Sequence, residues 1–187
     1  MRILVAEDET IIRLDLRRLL ENAGYDVCAE ARDGLEAVEL AREHEPDLAI
    51  VDVKMPRLDG IEAARRIIDE RPIPIVVLSA YAEDDLVLRA AEAGVFGYLM
   101  KPFREDSLTP AIRTAQARHE ELVALREEAE SLTEALAARK AIERAKGLLM
   151  AKDGLTEDEA FKRLRRASQV SGRPMKVIAD ALIATLG

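Results

Sequence analysis

Short apolar runs alternate with amphipathic stretches along the first hundred residues. The runs are Ile3 to Ala6, Val27 to Ala29, Leu48 to Val51, Ile75 to Leu78 and Tyr98 to Met100. They are brief, and the central ones are rich in Val and Ile, which predicts buried strands. The stretches between them have helical spacing. Ile12, Leu16, Leu19, Leu20 and Ala23 share one face, and Gly24 is placed to cap that helix at its C-terminal end. Asp33-Gly34 opens the next helical stretch and Glu45-Pro46-Asp47 ends it. Strand followed by helix, five times over with short links, predicts a parallel sheet covered by helices on both faces.

After Pro110 the pattern changes. Residues 111–150 contain no Pro, and no Gly before Gly147, which predicts one long helix. Leu122, Leu125, Ala129, Leu132 and Leu136 follow 3-4 alternation with Glu and Arg between them. About two heptads of this kind fit a self-associating coiled-coil seam, although a helix packed on its own domain would show the same repeat. Asp153-Gly154 then signals a turn, and Thr156 with Glu159 forms a capping box, with Asp158 also near the positive helix end. Ala160, Phe161, Leu164 and Ala167 predict an apolar stripe on the helix that follows. Gly172-Arg173-Pro174 breaks the chain before a last amphipathic helix carrying Met175, Ile178, Ala179, Leu182 and Ile183.

Composition narrows the class. Of 187 residues, 49% are hydrophobic and 34% charged, the balance of a folded chain rather than a disordered one. A single cysteine, Cys28, excludes an internal disulfide and a multi-cysteine zinc site; its place in the second strand predicts a buried core thiol. No apolar run approaches the ~18 residues of a membrane span and no signal peptide opens the chain, so a cytoplasmic protein without membrane contact is expected. The net charge of -8 is uneven. Residues 138–187 hold 11 Lys/Arg against 6 Asp/Glu, and residues 1–137 hold 17 against 30. An acidic front and a basic tail suggest two tasks.

The candidate chemistry of the front half lies at its strand ends. Glu7 and Asp8 follow the first strand, Asp52 ends the third, Ser79 the fourth and Lys101 the fifth. In an open parallel sheet, loops at the carboxyl ends of neighbouring strands converge on one crevice. Three carboxylates gathered there repel one another, and a hard cation such as Mg²⁺ relieves this through oxygen ligands. A hydroxyl and an ammonium on the same rim can hold phosphoryl oxygens. Singly, each residue reads as a cap or a solvated turn; the five together do not. His44 and His119 fall on polar helix faces without a ligand cluster and are expected to face solvent.

The segments Val5-Ala6-Glu7-Asp8-Glu9, Val51-Asp52-Val53-Lys54-Met55-Pro56, Leu78-Ser79-Ala80 and Gly97-Tyr98-Leu99-Met100-Lys101-Pro102-Phe103 resemble the receiver domain of two-component response regulators. The resemblance spans residues 1–120. It implies a flavodoxin-like α/β fold with sheet order 2-1-3-4-5 and a phosphoryl group accepted on Asp52 from a sensor histidine kinase. It implies Mg²⁺ held directly by Asp8 and Asp52, through water by Glu7, and by the backbone carbonyl of Lys54. Ser79 and Lys101 would contact the phosphoryl oxygens, and Tyr98 matches the aromatic switch position. The implied protein is regulatory rather than an enzyme, beyond promoting its own phosphotransfer and dephosphorylation.

The tail gathers Lys140, Arg144, Lys146, Lys162, Arg163, Arg165, Arg166, Arg173 and Lys176. Such a surface gains by releasing counterions from phosphate backbones, although charge runs are also common on ordinary solvated helices. Phe161, the only aromatic in this module, is assigned to the apolar stripe, so base stacking is not expected and recognition would rest on shape and charge. The segments Ala145-Lys146-Gly147-Leu148-Leu149-Met150, Glu159-Ala160-Phe161, Leu164-Arg165-Arg166-Ala167 and Ile178-Ala179 are similar to the ANTAR module. That resemblance implies a three-helix module, residues 139–187, entered through a coiled-coil helix, residues 121–138. It implies binding of stem-loop RNA in nascent transcripts and transcription antitermination, and the leucine seam adds the expectation of a homodimer at least when phosphorylated. Lys140, Arg144, Lys146, Gly147, Arg163, Arg165, Arg166 and Ala179 are the RNA-binding candidates. Gly147 permits close approach, to RNA or between helices. A DNA-binding helix-turn-helix output, and a dimerising adaptor that binds no nucleic acid, are the alternative readings.

Overall fold

The computed structural model describes residues 1–80 and 84–186; Gly187, the last residue of the expected module, lies outside them. Five parallel strands, β1 (Arg2–Ala6), β2 (Asp26–Ala31), β3 (Leu48–Asp52), β4 (Ile75–Ser79) and β5 (Gly97–Met100), stand in the order β2-β1-β3-β4-β5. Between them run α1 (Thr10–Asn22), α2 (Gly34–His44), α3 (Gly60–Glu70) and α4 (Asp84–Glu92). This is the parallel sheet that the alternating pattern predicts, in the flavodoxin-like order that the resemblance implies.

Strand alternation sorts the central residues into two cores, because successive side chains leave a strand on opposite faces. Leu4, Ala6, Ala49, Val51, Ile75 and Val77 face α2, α3 and α4. Ile3, Val5, Leu48, Ile50, Val76 and Leu78 face the other way, against Leu16 and Leu20 of α1 and Leu108, Ile112 and Ala115 of the helix after β5. β1, β3 and β4 are thus apolar on both sides, which is why their sequences run without a polar break.

The helix ends obey their local signals. Asp33 and Asp59 each accept hydrogen bonds from two backbone N–H groups in the first turns of α2 and α3. Gly24 takes the left-handed conformation just past α1, and the Tyr25 N–H reaches back to the Leu20 carbonyl. Cys28 is half-buried, short of the full burial expected of a core thiol. Its sulfur donates toward the Ile3 carbonyl at 3.4 Å, and burial pushes its pKa up.

The last three helices are α5 (Glu105–Asp153), α6 (Glu157–Ser171) and α7 (Met175–Leu186). α5 departs from the expectation of a start after Pro110. It begins at Glu105 and carries Pro110 inside it. Pro110 is the sixth residue of α5 and forgoes one bond, to the Asp106 carbonyl, at an exposed position where water can reach that oxygen. His119 also differs from its expected solvent-facing place. It is half-buried, with its ring edge-on to Phe96 at 5.6 Å between centroids. His44 is half-buried as well.

The chain divides into two compact units, Met1–Val123 and Ala124–Gly187, with α5 contributing to both. The second has its own small core of Ala145, Leu149, Ala160, Leu164 and Ala179. The capping box of Thr156 and Glu159 forms as predicted, and Gly154 and Gly172 take left-handed turns on either side of α6. Phe161 and Ala167 do not join this core, contrary to the stripe drawn for them. α6 turns Ala160 and Leu164 inward, and Phe161, one residue out of phase, is 39% exposed.

One packing constraint bears on the site. A Cβ at Gly60 would lie 1.8 Å from the Asp52 carbonyl oxygen, a backbone atom that cannot swing away. Gly60→Ala is expected to destabilise the first unit by about 2 kcal/mol or more, in the range of overpacked cores. Urea unfolding of the full chain monitored by circular dichroism checks this; an unchanged midpoint for the first transition would show that the turn relaxes freely.

Candidate functional site: the strand-end acidic cluster

The carboxyl ends of β1, β3, β4 and β5 meet at one rim. Glu7 and Asp8 follow β1 and Asp52 closes β3. Each can bring one carboxylate oxygen within 4.8 Å of the others. Glu7 is fully buried and Asp52 nearly so, whereas Asp8 is exposed. From the end of β5 the Lys101 ammonium reaches Glu7 Oε2 at 2.7 Å and Asp52 Oδ1 at 3.2 Å. The Lys101 N–H donates to the Ser79 carbonyl, which fixes the two rim residues side by side. Ser79 is buried at the end of β4, and Tyr98 is half-buried against the core on the α2, α3 and α4 side. Lys54 sits in the loop after β3 with an exposed side chain.

The electrostatics follow from burial. Loss of water raises the pKa of Glu7, aided by repulsion from Asp52 and opposed by Lys101. Burial likewise raises Asp52, with Lys101 opposing and Asp8 adding repulsion. Burial alone would lower Lys101, but its bonds to the two carboxylates outweigh this and hold its pKa up. Three carboxylates against one ammonium leave negative charge uncompensated within the cluster. An all-oxygen donor set of that sign suits a hard divalent cation.

Sequence reasoning missed the residues that hold this cluster in place. Arg13, on the buried face of α1, donates to the Glu7 carbonyl at 2.6 Å and to the Asp8 carbonyl at 3.5 Å, while its Nε lies 3.5 Å from Glu30. It ties down the backbone of both acidic residues. A charged residue interrupting an apolar helix face was the available signal. Arg57, in the left-handed region at φ 65° in the loop after Asp52, pairs with the α2 cap Asp33. Nothing in the sequence announces that pairing, because the two residues are 24 apart.

The basic candidates of the second unit separate into groups. Lys146 is buried and donates to Glu157 at 2.6 Å and to both oxygens of Glu143 at 3.0 Å, and these bonds raise its pKa. Ala179 is fully buried in the small core, so both residues act within the fold. Arg163 pairs with Asp153 and Lys162 with Asp158. Lys140, Arg144, Arg165 and Arg166 are exposed and make no ion pair among the described residues. Gly147 is exposed, and a Cβ there would meet nothing within 4 Å. Close helix packing inside the unit is therefore not its reason.

The fold and its charged strand-end rim define a receiver-type domain. Residues 3–113 match the response regulator receiver domain family, and residues 130–183 match the ANTAR domain family. The chain belongs to the response regulators, with an ANTAR domain following its receiver. It is 52% identical over 186 residues to the transcriptional regulatory protein PdtaR of Mycobacterium tuberculosis, covering 100% of this chain and 91% of that protein. It is 38% identical over 113 residues to the chemotaxis protein CheY of Bacillus subtilis, covering 59% of this chain and 93% of CheY. Among solved structures, the receiver domain of the putative response regulator NarL from Mycobacterium tuberculosis superposes with a TM-score of 0.57 at 33% identity, over 59% of this chain and 91% of that one. The receiver domain of a modulated diguanylate cyclase from Desulfovibrio desulfuricans gives 0.60 at 34% identity, over 64% and 95%. No helix among the described residues is long and apolar enough to cross a membrane.

Arg13→Met keeps the side-chain volume and removes both bonds to the acidic loop. It is expected to cost about 1–3 kcal/mol, the usual range when buried carbonyls lose their partner. Thermal melts of the full chain test this, and a melting temperature equal to the parent's would show the clamp to be dispensable.

Proposed function

We propose that this chain is a phosphorylation-dependent, RNA-binding transcription antiterminator whose Asp52 accepts a phosphoryl group from a sensor histidine kinase. The observation that carries the reading is the joining, along one continuous helix, of a buried acid–lysine cluster to an ANTAR domain with exposed, unpaired cations. In the transfer step an Asp52 carboxylate oxygen attacks the phosphorus of the kinase phosphohistidine. The P–N bond breaks, and the imidazole leaves with the electron pair. Lys101, already 3.2 Å from Asp52, is placed to receive the phosphoryl oxygens, with the Ser79 hydroxyl beside it. Asp8, Asp52, the Lys54 carbonyl and, through water, Glu7 would hold Mg²⁺. When bound, the ion would offset charge on the phosphoryl group. The same rim would support the domain's own dephosphorylation.

Engaging Lys101 and Ser79 withdraws contacts from the end of β4 and β5, and Tyr98 is the half-buried ring next to that change. Its inward turn would alter the face made by α4, β5 and α5. Downstream, Leu125, Leu132 and Leu136 are 56%, 65% and 54% exposed, an apolar row with no partner within the described chain. A second copy of the chain fits that row as a coiled coil and makes a homodimer on phosphorylation. Two linked modules can then hold two stem-loops with raised effective concentration. This assigns residues 1–120 to the receiver, 121–138 to the seam and 139–187 to RNA binding, in a cytoplasmic protein. Arg144, Arg165, Arg166 and Lys140 are among the exposed cations free to meet phosphates, with Gly147 open on the same unit.

Three measurements test this reading. Asp52→Asn is expected to abolish phosphate incorporation from acetyl phosphate; persistent labelling would mean another acceptor. Leu125→Glu with Leu132→Glu is expected to weaken self-association of the phosphorylated chain in sedimentation runs, and an unchanged mass would point to a helix that does not pair there. Crosslinking in cells, with Asp52 intact and replaced, should recover stem-loop transcripts that depend on Asp52. Recovery of duplex DNA alone, or of no nucleic acid, would favour a DNA-binding or adaptor output.

A further inference from the structure

Between Asp52 and α3 the chain makes a loop, residues 53–59, whose flank is tied to α2. Leu58 lies so close to the first turn of α2 that a Cβ at Gly34 would come within 2.2 Å of its carbonyl oxygen. In the same loop, Arg57 pairs with Asp33. The Asp33 carboxylate is divided between two tasks. Its Oδ1 accepts the Leu35 and Glu36 N–H groups at 3.0 Å each, and its Oδ2 takes the Arg57 guanidinium. Held by the helix end and only 10% exposed, that side chain is a firm anchor. Arg57 itself occupies the left-handed region at φ 65°, a conformation that costs an arginine and would cost a glycine nothing. Across this turn the Leu58 N–H donates to the Pro56 carbonyl at 2.7 Å. A second lateral tie of the loop is weaker. Arg89 of α4 meets Asp59 at 3.5 Å with both side chains 47% exposed, a surface pair of little energy.

Lys54 stands near the start of this loop, and its backbone carbonyl is a metal ligand in the reading above. Val53 and Met55 on either side of it are buried. Their burial holds the loop onto the sheet, but apolar contact is non-directional and does not set which way the peptide plane between them faces. A small, geometrically strict cation such as Mg²⁺ is served by a peptide oxygen only when that oxygen is aimed at it. Contacts that carry direction lie on both sides of Lys54. Before it, the Val53 N–H donates to the Leu78 carbonyl and the Gly60 N–H to the Val53 carbonyl, each at 2.9 Å. After it comes the pairing of Arg57 with Asp33. An arginine occupies a position where glycine would be relaxed, and the bond to Asp33 is what the arginine adds. We propose that Arg57 is a positioning residue: through Asp33 it holds the loop so that the Lys54 carbonyl faces the metal, and the strength of Mg²⁺ binding depends on the pair. The inference rests on the metal reading above and extends it to two residues outside the ligand set.

The test titrates Mg²⁺ into the unphosphorylated full chain and follows the amide NMR signals of Val53, Lys54 and Met55. The variants are Arg57→Met, Asp33→Asn and the two combined; asparagine still caps α2, so the helix start is kept. Each single variant is expected to weaken Mg²⁺ binding about tenfold, the lower end of the cost of losing an outer-shell partner. The double variant should be no weaker than either single one. Charge acting through space would give a different pattern, because losing the guanidinium would then tighten Mg²⁺ binding and losing the carboxylate would weaken it. A merely structural pair would lower the melting temperature, read by circular dichroism, and leave the Mg²⁺ midpoint where it is. Arg57→Met binding Mg²⁺ as tightly as the parent or more so, a weakening confined to one of the two, or single effects that multiply in the double variant would overturn the proposal while the metal site stands. A parent chain without a saturable Mg²⁺ shift, or an Asp52→Asn chain that binds Mg²⁺ like the parent, overturns the metal reading and this inference together.

Discussion

Two buried carboxylates share one lysine, and the chemistry of the receiver depends on that arrangement. Glu7 and Asp52 are held out of water by the sheet, where neither would ionise readily without a nearby positive charge. Lys101 supplies it from the last strand, at 2.7 Å and 3.2 Å. The balance is incomplete, because a third carboxylate, Asp8, adds charge that the lysine does not cancel. A site left with surplus negative charge suits a hard cation. Surplus negative charge is thus built into the rim.

The surrounding structure serves to hold that cluster still. Arg13 fixes the carbonyls of both β1 acids from below. Gly60 lets α3 begin against the Asp52 backbone, and its N–H donates to the Val53 carbonyl at 2.9 Å. The pairing of Arg57 with Asp33 ties the loop after Asp52 to the cap of α2. These contacts come from three different elements, so the geometry does not rest on any one loop. The second unit applies the same device to a different end. Its buried lysine, Lys146, joins α5 to α6 through Glu157, while Arg144, Arg165 and Arg166 make no ion pair among the described residues.

Legibility was high wherever periodicity and caps agreed. The five strands, the Thr156–Glu159 capping box and the turns at Gly24, Gly154 and Gly172 were all readable, since each depends on neighbours within a few residues, whereas the strand order was implied only by the family resemblance. The strand-end residues Glu7, Asp8, Asp52, Ser79 and Lys101 were readable too, because parallel topology delivers all strand ends to one edge. Three of the readings that failed show why. Pro110 marked a boundary in sequence but is absorbed near the start of α5 on its exposed side. Lys146 was counted as free charge, and its partner Glu157 lies 11 residues away, across a turn. Phe161 looked like core because it adjoins Ala160, but only the phase of α6 against α5 decides which of the two turns inward.

The sequence by itself determined the order of its elements and the chemical groups at its rim, through local propensity and alternation along the chain, and the class of protein, through motifs that resemble known families. The opposition of an acidic front and a basic tail was equally visible there. Only the tertiary structure decided which charges are spent and which remain available. Ion pairs such as Lys101 with Glu7, Lys146 with Glu157 and Arg57 with Asp33 join residues far apart in the chain, and their formation depends on distances that packing alone sets.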